Sequence, residues 1–178
     1  CKLAGHTKII GIDISAEQVM LAHQLGITEV KHAETIEYLN STPDQYDVIF
    51  CMDIIEHFTK DELVVLLDLI KSRMNDQARI IFRTPNMDTP FNSIYAFGDF
   101  THENHLNAQS ANQLMLSLGF KEIQTLPSRM ATKGFIKEIV RSLLWTFINI
   151  FIRLIIYSTG RSSKNVILSP NLIIIAKR

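Results

Sequence analysis

Two kinds of hydrophobic run alternate along the chain. Residues 8–13, 27–32, 46–53, 78–84, 120–126 and 165–176 are short and nearly continuously apolar, rich in Ile and Val. Such runs read as strands buried on both faces. Between them, apolar residues recur at three and four. The clearest case is Leu63, Leu66, Leu67, Ile70 and Met74, an amphipathic helix. Shorter helices are expected over 15–25, with Val19, Met20, Ala22 and His23 as the buried side, over 34–39, and over 108–118. Ser15 with Gln18 and Thr59 with Glu62 have capping-box spacing, and Asn107 is placed to cap the helix after it. Gly26 and Gly119 suit helix ends. Regular alternation of strand and helix predicts an α/β domain, a mostly parallel sheet with helices on both faces. Pro170 within the last strand suggests an edge or a bulge.

One helix breaks this pattern. Residues 136–157 carry ten large apolar side chains at helical spacing, with Lys137, Arg141, Asn149 and Arg153 on the opposite face. The longest charge-free run, 142–152, is well short of the ~20 residues that span a bilayer. Two readings stay open: the stripe packs on protein, its own sheet or a second subunit, or it lies in a membrane interface. In the second, Arg141 and Arg153 reach headgroups and Trp145 marks the boundary.

Charge sharpens that choice. Net charge is zero, which gives no global field for nucleic acid, but its placement is uneven. Residues 1–132 hold 10 Lys and Arg against 17 Asp and Glu; residues 133–178 hold 8 against 1. A basic apolar tail on an acidic body favours anionic lipid. Three segments follow: a body over 1–132, a basic helical insertion over 133–164, and a returning strand over 165–178. Cys1 and Cys51 have neither metal-ligand spacing nor a disulfide framework, so no metal is expected and reducing, cytoplasmic surroundings fit. The opening Cys-Lys-Leu-Ala-Gly-His reads like a helix end, which suggests an amino-terminal truncation.

The chemistry sits at strand tips, where open α/β sheets hold ligands. Asp13 ends the first strand, where it reads either as an ordinary surface residue of the strand–helix turn or as an acceptor for the cis hydroxyls of a ribose. His32, Ala33 and Glu34 follow the second strand; Asp53, Glu56 and His57 follow the third. Residues 85–107 form a connection long enough to be functional, containing Gly98-Asp-Phe-Thr-His-Glu-Asn-His105.

Together, residues 8–126 and 165–176 resemble class I S-adenosylmethionine-dependent methyltransferases, with their Rossmann-like fold. The resemblance implies that Asp13 and Ile14 hold the ribose of S-adenosylmethionine. It implies that His32 and Ala33 lie against the adenine, and that Asp53 and His57 flank the methionine end. Thr84-Pro85-Asn86 resembles the usual end of the following strand. His32 stands where the family carries Asp or Glu. The family's first strand and Gly-rich loop have no counterpart, so this stretch alone is expected to bind the cofactor poorly and be inactive.

The segment 98–107, followed by a helix ending Leu-Gly-Phe120, is similar to a subgroup acting in polysaccharide and lipopolysaccharide synthesis. A hydroxyl acceptor needs a base. His102 is the first candidate, with His105 and Glu103 as substitutes; His102 reads equally as a brace for the loop, and His105 reads more readily as a brace than as a base. Glu56 and His57 read as supports at a helix start. The expected partner is a small-molecule or glycan acceptor, with no nucleic acid. Residues 136–157 are left for peripheral membrane contact or a homodimer. The competing classes are a non-catalytic module attached through that helix and a nicotinamide-dependent dehydrogenase, which shares the acidic strand tip.

Overall fold

A computed structural model describes residues 5–178; residues 1–4, where the amino-terminal helix end is expected, lie outside them. The elements follow the predicted alternation: β1 (Gly11–Asp13), α1 (Ala16–Gln24), β2 (Val30–His32), α2 (Thr35–Ser41), β3 (Tyr46–Met52), a 3-10 turn (Ile55–His57), α3 (Lys60–Ser72), β4 (Met74–Pro85), α4 (Ser93–Ala96), α5 (Ala108–Ser117), β5 (Lys121–Pro127), α6 (Phe135–Ser158) and β6 (Asn171–Lys177).

Capping and burial explain α3. The Thr59 N–H donates to Glu62 Oε2 at 2.9 Å and the Glu62 N–H to Thr59 Oγ1 at 3.4 Å, which satisfies two of the helix's orphan donors. The helix then turns Leu63, Leu66, Leu67 and Ile70 into the core. They share it with Met74, Ala78, Ile80 and Phe82 of β4 and with Leu172, Ile174 and Ala176 of β6. Asn107 caps α5 in the same reciprocal way with Ser110. In α1 only Val19 is buried, while Met20 is 56% exposed. The buried side expected there is therefore corrected to a single residue, because among the described elements α1 meets only the short β1 and β2.

The sheet departs from expectation in three ways. β1 and β2 pair parallel as a two-stranded sheet of their own. The other four strands run in the order β3-β4-β6-β5, with β3 and β4 parallel but β6 antiparallel to both neighbours. The mostly parallel sheet is thus corrected to a mixed one. The cause is where the chain leaves and re-enters. Pro127 lies opposite Leu172, and the Ser128 N–H donates to the Asn171 carbonyl at 3.1 Å. The excursion holding α6 therefore returns at the end where β5 stopped, and β6 must run back along β5. A parallel pairing needs re-entry at the far end. Third, β6 is an interior strand, not an edge. Pro170 precedes it, so its missing N–H costs no ladder bond, and its carbonyl accepts the Asn86 N–H at 2.8 Å.

Candidate active site

The tips of β1 and β2 form a small polar platform. Asp13 Oδ1 accepts the Ser15 N–H at 2.8 Å, which fixes the carboxylate and leaves Oδ2 open. The Ala33 N–H donates to the Asp13 carbonyl at 3.1 Å, and His32 Nε2 donates to the Ile14 carbonyl at 2.9 Å. Asp13, Ile14, His32 and Ala33 are therefore brought together, with the Ile14 side chain 71% exposed beside the carboxylate. Glu34 is spent on capping α2 through the Ile36 and Glu37 N–H groups.

Asp53 lies at the end of β3 in the other sheet. Its φ of 53° is left-handed, a conformation Asp tolerates better than most residues, and its N–H donates to the Arg83 carbonyl at 2.9 Å. Its carboxylate is held by the Arg83 guanidinium through both oxygens, with Nε to Oδ1 at 2.8 Å. The Asp53 carboxylate at this strand tip is therefore already paired within the chain. Cys51 is no nucleophile either: burial pushes its thiol up to about 12.

The carboxyl ends of β3 and β4 and the start of β6 wall an open cleft of about 400 Å³, lined by Asp53, Glu56, His57, Asp99 and His102 among others. Its far wall is the 85–107 connection, which folds back sharply after α4. A Cβ at Gly98 would meet the Ile94 carbonyl oxygen at 2.2 Å, so the turn requires glycine. The loop is stapled to the 3-10 turn. The Glu56 carbonyl accepts the N–H groups of Glu103 at 2.8 Å and Asn104 at 3.0 Å, and the buried Asn104 amide donates to the Phe58 carbonyl.

That staple sets His102 against His57, ring centroids 4.9 Å apart and edge to face. His102 Nδ1 donates to the Tyr95 carbonyl at 3.0 Å, so the neutral ring keeps its lone pair on Nε2. His105 is turned away: its Nε2 donates to the Ala96 carbonyl at 3.3 Å and its ring tilts against Phe97. Neither His105 nor Glu103 lines the cleft, so of the three base candidates only His102 faces it.

Glu56 is the residue the sequence reading undervalued. It is 2% exposed, and its Oε2 has no hydrogen-bond partner among the described residues. Burial raises its pKa above the ordinary carboxylate value, opposed by its own backbone N–H, the Thr84 hydroxyl, and the nearby rings of His57 and His102. Asp99 shifts the other way, lowered chiefly by the N–H and then the hydroxyl of Thr101. The signal in the sequence was the Glu56-His57 pair just past a strand tip, together with a His-bearing loop too long for a simple connection.

A family model described as a methyltransferase domain matches residues 1–125. No curated protein matches the chain. Among solved structures, the chain is similar over its whole length to a SAM-dependent methyltransferase from Archaeoglobus fulgidus, at 24% identity and a TM-score of 0.68, covering 79% of that protein. It is also similar to the N-methyltransferase NodS from Bradyrhizobium japonicum, solved with S-adenosyl-l-homocysteine. That match has 11% identity and a TM-score of 0.58, over 99% of this chain and 70% of that one. The plantazolicin methyltransferase BamL, also solved with SAH, matches at 15% identity and a TM-score of 0.57, over 98% and 70%. At these identities the likeness is one of fold.

Proposed function

From the premise that this chain belongs to the methyltransferase-domain family, we propose that it transfers a methyl group from S-adenosylmethionine to a hydroxyl of a sugar or similar small acceptor, in the synthesis of a surface polysaccharide. The observation that carries the reading is the open Nε2 of His102 in the cleft, its tautomer set by the Tyr95 carbonyl. That nitrogen is a proton acceptor held by a backbone bond, which suits a hydroxyl that must lose its proton as it attacks.

The residues present fit the ribose end of the cofactor. Asp13 keeps one carboxylate oxygen unbonded, next to the exposed apolar face of Ile14 on which a base can rest. When bound, the cofactor supplies an electrophilic methyl carbon on a positively charged sulfur. The chain's own part is placement and proton transfer: Asp13 grips the ribose hydroxyls, the stapled loop holds His102 in place, and His102 takes the acceptor's proton. The polysaccharide acceptor is supported by the likeness of segment 98–107 to the enzymes of that synthesis. The test is calorimetric titration of S-adenosylhomocysteine into the protein. We expect weak but saturable binding, as the lack of a Gly-rich loop implies, weakened at least tenfold further by Asp13→Ala through loss of charge-assisted hydrogen bonds. No binding by a folded protein overturns the reading.

A second reading, attachment through α6, rests on its own observation. By length and composition the helix is able to cross a membrane, with 24 residues and a mean hydropathy of 1.8 over its best window. None of that window is buried. The half-buried positions are Glu138, Arg141, Trp145, Asn149, Ile152, Arg153 and Ile156, which share one side of the helix. Arg153 donates to the Ser163 and Val166 carbonyls and Arg141 pairs with Glu138, so neither arginine reaches outward as the sequence suggested. The outward side holds Ile136, Leu143, Phe147, Phe151 and Leu154. A flat placement is favoured over crossing by the way the chain leaves and re-enters the sheet at one end, Ser128 on Asn171, with Thr132 bound to Glu138 and the return segment to Arg153. The irregular, polar segment 159–166 is suited to water or headgroups and not to hydrocarbon. We propose that α6 lies flat in the interface of an anionic membrane, drawn by the eight Lys and Arg of 133–178. Two such segments repel each other, which disfavours a dimer through the same face. Flotation with phosphatidylglycerol vesicles is expected to carry the protein, and Phe147→Asp with Phe151→Asp to abolish it. A lipid-independent dimer that ignores vesicles overturns the proposal.

A further inference from the structure

Glu56, His57 and His102 each offer a ligand atom, and these atoms lie within 4.8 Å of one another. What makes the trio a site is the state of each atom. Thr101 Oγ1 donates its hydrogen to Asp99 Oδ1 at 2.7 Å, so it accepts from His57 Nδ1 at 2.8 Å. A carbonyl only accepts, so His102 Nδ1 also carries the proton, which it gives to Tyr95. Both neutral rings therefore present a bare Nε2. Each is oriented by a hydrogen bond at its other nitrogen, the outer-shell arrangement that metal-bound histidines use. The third donor, Glu56 Oε2, is buried without a partner. A buried carboxylate oxygen with no donor is a cost that a cation removes.

We propose that Glu56, His57 and His102 bind a divalent transition-metal ion at the floor of the cleft. Two imidazoles and one carboxylate suit Zn²⁺, Mn²⁺, Co²⁺ or Fe²⁺ better than the all-oxygen ions Mg²⁺ and Ca²⁺. Ligands on one such ion sit ~2.0–2.2 Å from it, so a small inward movement of the two rings closes the set. Three protein ligands leave open positions toward the cleft, where Asp99 adds negative charge. Ion binding stands on the geometry alone; its role rests on the methyl-transfer reading. In that role an acceptor hydroxyl occupies an open position and loses its proton to water. Its oxygen bonds to the methyl carbon, the carbon–sulfur bond breaks, and the electron pair stays on sulfur as a neutral thioether. The ion then replaces His102 as the group that activates the acceptor.

The test is Mn²⁺ binding to the full chain after dialysis against chelator, followed by the loss of the free-ion paramagnetic resonance signal. Mn²⁺ has little affinity for thiolate, so the cysteines do not interfere. One equivalent bound at micromolar concentration is expected. His57→Ala and His102→Ala are each expected to weaken it at least tenfold while leaving the circular dichroism spectrum unchanged. Binding that ignores both substitutions, or no binding by the folded wild-type chain, overturns the site. S-adenosylhomocysteine titrated in parallel separates the two claims. Uptake of it by a chain that takes no Mn²⁺ sinks the ion site and leaves methyl transfer standing. Mn²⁺ taken by a chain that binds no S-adenosylhomocysteine supports the ion site and removes methyl transfer.

Discussion

Replacing Glu56 by Gln is expected to stabilise the ion-free protein at neutral pH, which is unusual for a substitution at a buried hydrogen-bonded residue. In the wild type the Glu56 carboxyl sits almost wholly out of water, with one oxygen unpaired among the described residues, so ionising it is costly. Its raised pKa states the same thing thermodynamically. A carboxyl whose native pKa lies above its unfolded value contributes stability in full below the unfolded value. It loses that contribution as pH rises through the native one. Each unit of displacement is worth about 1.4 kcal/mol at neutral pH. The Gln amide carries no charge to desolvate. Removing the unpaired buried acceptor is worth about 1–3 kcal/mol, or very roughly 2–12 °C in melting temperature for a domain of this size. The assay is calorimetric melting of both proteins in chelator between pH 4 and pH 8. The variant's advantage should be greatest near pH 7 and vanish toward pH 4, where the wild-type carboxyl is protonated. Saturating Mn²⁺ should then raise the melting temperature of the wild type well above that of the variant. A variant less stable than wild type at pH 7 without metal, or a difference flat across the whole range, would refute the reasoning.

Leu66→Ala removes a side chain with no exposed surface from the middle of α3 and should cost about 2.7–5 kcal/mol in urea denaturation, as cavities in packed cores do. Gly98→Ala pushes a methyl into the Ile94 carbonyl and should displace the cleft wall. The expected result is weaker Mn²⁺ binding and a shifted His102 ring resonance, with the core's melting temperature lowered far less than by Leu66→Ala. Asn104→Ala removes the buried amide that ties the loop to Phe58 and should weaken Mn²⁺ binding in the same way, because His102 loses the staple that sets it against His57.

The alternation of strands and helices was legible because each depends on local pattern. The period of three and four in α3 and the Ile-rich run of β6 state their own structure. Sheet direction was not legible. It depends on where β5 and β6 meet, and Pro127 and Leu172 are separated by the whole α6 excursion. The candidate site divides the same way. Asp13 and Ile14 were readable from a strand tip followed by a capped helix. Asp53 was readable as a tip, but its pairing with Arg83 is a contact across two strands that no spacing announces. Glu56 looked like a helix-start support since its burial comes from tertiary packing. The trio it forms needs His102, brought over by backbone bonds from Glu103 and Asn104 across a gap of more than forty residues.

Two of the exposed apolar features among the described residues share an origin. The connection after β4 presents Phe91, Ile94, Phe97 and Phe100 to solvent, and the excursion after β5 presents the outward side of α6. β4 and β5 flank β6, and Pro85 and Pro127 lie opposite Asn171 and Leu172 at its start. Both apolar features therefore leave the sheet at the end that carries the cleft, and Asn171 both lines the cleft and receives the Ser128 N–H where the α6 excursion begins. On the proposed attachment, a membrane that takes up α6 would lie at the end of the sheet that carries the cleft, not behind it. An acceptor attached to that membrane then needs no free diffusion to reach His102. Binding it from the surface costs less translational freedom than binding it from solution. On that proposed attachment, the basic excursion would fix the protein to an anionic surface, while the acidic body holds the charged groups of the cleft.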